Sequence, residues 1–86
     1  MPEQLIGKVT HFFGKAHVAA IEITQGQLCV GDMIHIVGHS SDFTQKVDSM
    51  QLEHAPVQAA KPGENIGIQV LDHAHEHDKV YRVIPD

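Results

Sequence analysis

The sequence predicts a small all-β domain that closes into a barrel of six strands. Apolar and polar residues alternate with a period of two in several short runs, the pattern of half-buried strands. These runs recur at intervals of roughly 8–12 residues with glycine or proline turns between them, which favours a barrel or a sandwich. The 86 residues suffice for one core, so we predict a single domain over residues 1–86.

The first three predicted strands are separated by glycine turns. In the second strand Ala19, Ile21 and Ile23 share one face, which we expect to be buried. The turns at residues 25–27 and 30–32 contain glycine, which adopts positive φ without a Cβ clash. The three strands are placed at residues 5–13, 17–24 and 33–37.

The second half of the chain continues the same pattern. In the third strand Ile34 and Ile36 share one face, with Met33, His35 and Val37 on the other. In the fourth strand the inward positions change from odd to even numbers, which predicts a bulge near Ser49. A Pro-Gly turn at residues 61–64 leads into the fifth strand. The last three strands are placed at residues 43–52, 65–71 and 79–84.

Composition and charge exclude several classes of protein. No apolar run approaches the roughly 20 residues that span a bilayer, and residues 1–4 do not resemble a signal peptide. Cys29 is the only cysteine, so no disulfide forms within the chain, and we expect a cytoplasmic protein. The net charge is −5 and the six basic residues are scattered, which disfavours a general RNA-coating protein.

Four segments resemble domain II of the elongation factor Tu family of translational GTPases. They are residues 6–9 (IGKV), 14–22 (GKAHVAAIE), 26–34 (GQLCVGDMI) and 61–68 (KPGENIGI). The resemblance implies a closed six-stranded barrel with Greek-key-like connections and a role near translation. A P-loop would need glycine at Val9 and a hydroxyl residue at Ala16, so we expect no GTPase activity and no bound nucleotide.

The resemblance also implies where a partner binds. In the large factors this domain helps to seat the aminoacyl end of transfer RNA or rests on the small ribosomal subunit. The corresponding surface here is the tip of the first hairpin, with the region of His54 nearby. We therefore predict a non-catalytic binding module that contacts RNA, the ribosome or an associated protein through Phe13, Lys15, His17 and His54.

A histidine-rich tract at residues 72–78 offers a second candidate site. Imidazole binds zinc and nickel, so His73, His75 and His77 form a candidate metal site. In an extended strand neighbouring histidines of this set lie about 6.5 Å apart, whereas one helical turn would bring His73 and His77 together. The alternative is a polar loop between the last two strands, with no cofactor.

We expect no catalytic residues. His39 and Asp42 stand beside two serines, but adjacent loop residues rarely supply the geometry of a hydrolase triad, which normally comes from distant segments. Two further hypotheses remain beside the binding module. One is an accessory subunit of a protein complex or a homo-oligomer, since small chains often gain stability by association. The other is a metal-binding protein built on the histidine tract.

Overall fold

The computed structural model describes residues 2–85; Met1 and Asp86 lie outside the described residues. Within that range the chain forms ten strands and no helix, and therefore no helix long and apolar enough to cross a membrane. The strands are β1 (Glu3–Phe13), β2 (Val18–Ile23), β3 (Leu28–Cys29), β4 (Met33–Val37), β5 (Asp42–Lys46), β6 (Met50–Leu52), β7 (Ala55–Val57), β8 (Ala59–Ala60), β9 (Asn65–Gln69) and β10 (Lys79–Val83).

Eight strands form one antiparallel sheet that curls into a barrel. Its order is β5-β4-β10-β1-β2-β9-β6-β7, while β3 and β8 pair separately. Six strand spacings, about 29 Å, would separate β5 from β6 if the sheet were flat. The chain from Lys46 to Met50 has only four Cα steps, at most about 15 Å. The two ends of the sheet must therefore come together, so the sheet closes on itself. The ten described strands and the lack of any helix among residues 2–85 confirm the all-β prediction.

The core lies inside the barrel and is aliphatic. The predicted period of two is confirmed in β2, β4 and β9, because alternate residues of each strand are fully or almost fully buried. The core residues are Ile6, Val9, Ala19, Ile21, Ile23, Leu28, Ile34, Ile36, Val47, Met50, Ala60, Ile66, Ile68, Val70, Ala74 and Val80.

The predicted fourth strand is two strands. β5 ends at Lys46 and β6 begins at Met50, so the expected bulge near Ser49 is instead a break. Val47 lies within the break and Met50 begins the strand after it. Both are buried, which explains the change from odd to even inward positions. The prediction also missed β3, β7 and β8, because a strand of two or three residues is too short to show a recognisable alternation of apolar and polar residues.

Candidate ligand-binding groove

The tip of the β1–β2 hairpin exposes one aromatic ring and leaves the other partly buried. Phe12 packs against the core, whereas Phe13 is 50% exposed. Consecutive residues of a strand point to opposite faces, so this division is the one that the sequence predicts. The ring of His11 lies edge-on to that of Phe13, with centroids 4.4 Å apart, which restricts the motion of the exposed ring.

The β6–β7 turn is strained. Leu52 pairs with Ala55, so Glu53 and His54 form a two-residue hairpin loop, and their φ angles are 52° and 66°. Positive φ at both central positions is the mark of a type I′ turn, where Asn-Gly is preferred. Side chains larger than glycine cost about 1 kcal/mol or more each in this conformation. The turn places the exposed carboxylate of Glu53 and the exposed imidazole of His54 at its tip.

A groove of about 440 Å³ lies between the hairpin tip and this turn, and its lining is mostly apolar. The floor is formed by Val18, Ala20 and Gly67, which stand side by side on the outer surface of β2 and β9. Two of these residues have little or no side chain, so the floor is low. The groove is therefore a consequence of small residues between taller walls.

The walls combine one aromatic side with one polar side. Phe13 stands at the hairpin wall, and Glu53 and His54 stand at the opposite wall. Gln51 and Asn65 add amide groups at the rim. Such an arrangement can bury an apolar group on the floor while polar groups at the edge fix its orientation.

The structure brings together two of the four partner-binding residues predicted from the sequence. Phe13 and His54 line the groove, whereas Lys15 and His17 do not. Lys15 is exposed in the hairpin turn. His17 has a φ of 56°, its ring packs edge-on against Phe12 at 5.7 Å, and its carbonyl accepts the Val70 N–H at 2.8 Å. His17 thus closes the hairpin rather than facing the groove.

Two contributors to the groove were not assigned to a binding site from the sequence. The positive φ of Glu53 has no sequence signal, because neither residue of the turn is glycine or asparagine. Gly67 was readable as an unusual residue within a strand, a sign of a bulge or of a close approach. A Cβ at this position would meet only Val18 Cγ1, at 3.4 Å, so no backbone approaches it.

The histidine tract forms a loop after β9. The His73 ring stacks on Phe12 and on His75, with centroids 4.3 and 4.4 Å away. His77 is held elsewhere, with a φ of 74° and its N–H donating to the Val9 carbonyl at 2.8 Å. No cluster of three metal-ligating side chains occurs among residues 2–85. A metal site at this tract stays a prediction, and His73 and His75 are the two histidines of the tract whose rings are in contact.

A larger, polar depression of about 480 Å³ lies beside this loop and contains a serine and a histidine. Ser41 Oγ lies 2.7 Å from His75 Nδ1, and Asp78 Oδ2 lies 3.9 Å from the same nitrogen. A catalytic triad needs the serine and the carboxylate on different ring nitrogens. The Asp78 carboxylate instead accepts the His75 backbone N–H at 2.8 Å, so these contacts order the loop.

His35 joins three strands at another part of the barrel. Its Nδ1 lies 2.9 Å from Glu3 Oε2 and its Nε2 lies 2.5 Å from Asp42 Oδ1. The hydrogen bond to Asp42 raises the pKa of His35 above 6.5, burial opposes the rise, and Glu3 adds to it. With carboxylates on both nitrogens, the ring is favoured in its doubly protonated form. This cluster lies outside the groove.

Comparisons with known proteins place the domain in a defined family. Residues 16–77 match the family described as elongation factor Tu domain 2. An uncharacterized protease of Methanocaldococcus jannaschii is 39% identical over 88% of the chain, and a collagenase of Porphyromonas gingivalis is 36% identical over 90%. The chain spans only 19% and 22% of these relatives, about a fifth of their length.

Solved structures show the same fold. The C-terminal domain of a protein assigned to the U32 peptidases, from Geobacillus thermoleovorans, superposes with a TM-score of 0.86. The match covers 94% of this chain and 93% of that domain at 17% sequence identity. A selenomethionine variant of the same domain gives a TM-score of 0.84 over 90% of this chain.

Proposed function

The chain belongs to the elongation factor Tu domain 2 family, and on that basis we propose that it is a non-catalytic binding domain of the kind that accompanies U32 peptidases. Its ligand is an extended polypeptide segment, held in the groove between Phe13 and His54. The single observation that carries the proposal is this mostly apolar groove beside a half-exposed aromatic ring. Exposed aromatic side chains beside apolar depressions are typical anchors for protein partners.

The charge of the chain favours a polypeptide over a nucleic acid. RNA binding depends on clustered cations that displace counterions from phosphates. The net charge here is −5, and no lysine or arginine lines the groove. The translation-factor role implied by the resemblance therefore has less support than a polypeptide ligand, and RNA becomes an alternative outcome of the test.

The comparisons support a role beside a catalytic domain rather than catalysis itself. The relatives are named as a protease and a collagenase, and the chain matches about a fifth of each. The remaining four-fifths of those proteins offer ample room for catalytic residues. In this chain Ser41 and Asp78 approach the same nitrogen of His75, which does not suit nucleophilic attack. We therefore assign no catalytic residue.

The experiment is an NMR titration of the ¹⁵N-labelled chain with two probes. One is a reduced and carboxymethylated protein, which is permanently unfolded, and the other is a single-stranded RNA oligonucleotide. We expect the unfolded protein to shift the amide signals of Phe13, Ala20, His54 and Gly67. Phe13→Ala should weaken binding at least fivefold, and Phe13→Leu should weaken it less because an apolar wall remains.

Leu71→Ala is the matched control, because Leu71 is 81% exposed and does not line the groove. It should leave the affinity for the unfolded protein unchanged. Shifts induced by RNA alone, with an affinity that falls steeply as salt is raised, would replace the proposal with nucleic-acid binding. Shifts centred away from the groove would also overturn it.

A further inference from the structure

We infer that the groove selects a segment in which an apolar side chain is followed or preceded closely by a basic one. The apolar side chain lies on the floor at Gly67, and the basic side chain reaches the carboxylate of Glu53. This inference rests on the proposed function, since it names the segment that the groove would hold. It makes Gly67 and Glu53 specificity-determining residues.

The first argument is that the barrel itself does not need glycine at position 67. Its φ is outside the left-handed region, so any residue could adopt this backbone. A Cβ would meet only Val18 Cγ1, at 3.4 Å, which is ordinary van der Waals contact. Glycine within a strand weakens that strand, because it has no side chain to pack. Because Gly67 has no side chain, the floor of the groove is open at this position.

The position of Gly67 shows how much space this opens. It pairs with Ala20 on one side and with Gln51 on the other, and both are lining residues of the groove. Cross-strand partners point to the same face of a sheet, so a side chain at 67 would stand in the middle of the floor. The space is therefore where a ligand side chain fits.

The second argument is that Glu53 is held at the rim without a cationic partner. No lysine or arginine among residues 2–85 pairs with it. The positive φ of the turn fixes its position, and the side chain is exposed. An unpaired carboxylate at the edge of an apolar depression attracts a cation of the ligand. Glu53 follows Gln51, the partner of Gly67, by two residues, and residues two positions apart in an extended peptide share a face, so the basic residue lies two positions from the apolar one.

The test compares three labelled hexapeptides by fluorescence anisotropy. Their central triplets are Leu-Gly-Lys, Leu-Gly-Glu and Ser-Gly-Lys, abbreviated Leu-Lys, Leu-Glu and Ser-Lys, between identical Gly and Ser ends. We expect the Leu-Lys peptide to bind roughly tenfold more tightly than either of the others, which is a difference of about 1.4 kcal/mol. Glu53→Lys should reverse the preference between Leu-Lys and Leu-Glu. Asp48→Lys, which changes the net charge equally at an exposed position outside the groove, should not reverse it.

Gly67→Val provides the steric arm of the test. We expect this variant to fold with unchanged or higher stability and to lose binding of all three peptides. An unchanged preference in Glu53→Lys, with binding still lost in Gly67→Val, would overturn the inference and leave the proposed function standing. Binding of none of the peptides, together with no response to the unfolded protein, would overturn both.

Discussion

The side chain of Gln45 is hydrogen-bonded to the backbone of Leu71. Its Oε1 accepts the Leu71 N–H at 2.7 Å, and its Nε2 donates to the Gln69 carbonyl at 2.9 Å. Gln45 is only 6% exposed. Among the described strands β5 pairs with β4 alone, so this amide joins the free edge of β5 to the end of β9. The barrel is thus closed in part by a side chain that substitutes for backbone pairing.

Gln45→Leu should destabilise the domain by about 1–3 kcal/mol, because it removes both hydrogen bonds and leaves the backbone groups without partners. Urea unfolding measures the change, and Gln58→Leu, at an exposed position, is the control. Gln45→Glu should be more stable at pH 5 than at pH 7. A buried carboxyl beside a carbonyl has a raised pKa, so its stabilising protonated form is lost as pH rises. Equal stability of Gln45→Leu and the parent chain would contradict the role of this bridge.

Gly7→Ala should prevent folding or cost more than about 3 kcal/mol. A Cβ on Gly7 would overlap the backbone carbonyl oxygen of Glu22, which the β1–β2 pairing holds in place. Gly67→Ala is the matched control within another strand, and it should be neutral or stabilising by up to about 1 kcal/mol. Thermal unfolding followed by circular dichroism compares the two. A Gly7→Ala chain that melts with the parent would refute the close approach.

Replacing Glu53 and His54 together with Asn-Gly should stabilise the domain by about 1–2 kcal/mol. The new pair is the preferred type I′ sequence, because asparagine and glycine adopt positive φ at lower cost than glutamate and histidine. The same variant should lose the preference for a basic peptide, because the rim carboxylate is gone. Chemical denaturation and the peptide assay together measure this opposition between stability and binding. A destabilised variant would show that the turn is not strained.

His35 should make stability depend on pH. Its folded pKa is raised above 6.5 by Asp42 and Glu3, so the stabilisation is fully present below pH 6.5 and is lost as pH rises through the folded pKa. The Asp42 side chain is 76% exposed and solvent screens the pair, so we expect about 1 kcal/mol or less. The difference in unfolding free energy between the parent and His35→Gln should be larger at pH 6 than at pH 8. Ser40→Ala, which changes no titratable group at an exposed loop position, is the control and should show no such trend.

Zinc titration can test the histidine tract. His73 and His75 lie together while His77 is held apart by its bond to Val9. We therefore expect any zinc binding to be weakened by His75→Ala and unaffected by His77→Ala, as measured by calorimetry. A structural zinc site needs four ligands, so a two-histidine site should exchange its metal rapidly. Equal losses in the two variants would show that the tract rearranges around the metal.

Part of the candidate site could be predicted from the sequence. The division of Phe12 and Phe13 between core and surface follows from strand alternation, and the family resemblance pointed to the region of His54. The exclusion of Lys15 and His17 from the groove could not be predicted. Their directions depend on the local geometry of a turn in which His17 takes a positive φ. Positive φ is uncommon for residues other than glycine, so a histidine in the sequence does not by itself predict it.

The sequence by itself determined which residues of the longer strands share a face and where the glycine and proline turns lie. Both properties are local, because alternation has a period of two and glycine or proline restricts the backbone at its own position. Only the tertiary structure decided where the groove lies and how the barrel closes. Phe13 and His54 meet across a floor supplied by a third segment, and Gln45 reaches Leu71 across the seam. Contacts between distant segments depend on the register and curvature of the whole sheet, which no single stretch of sequence specifies.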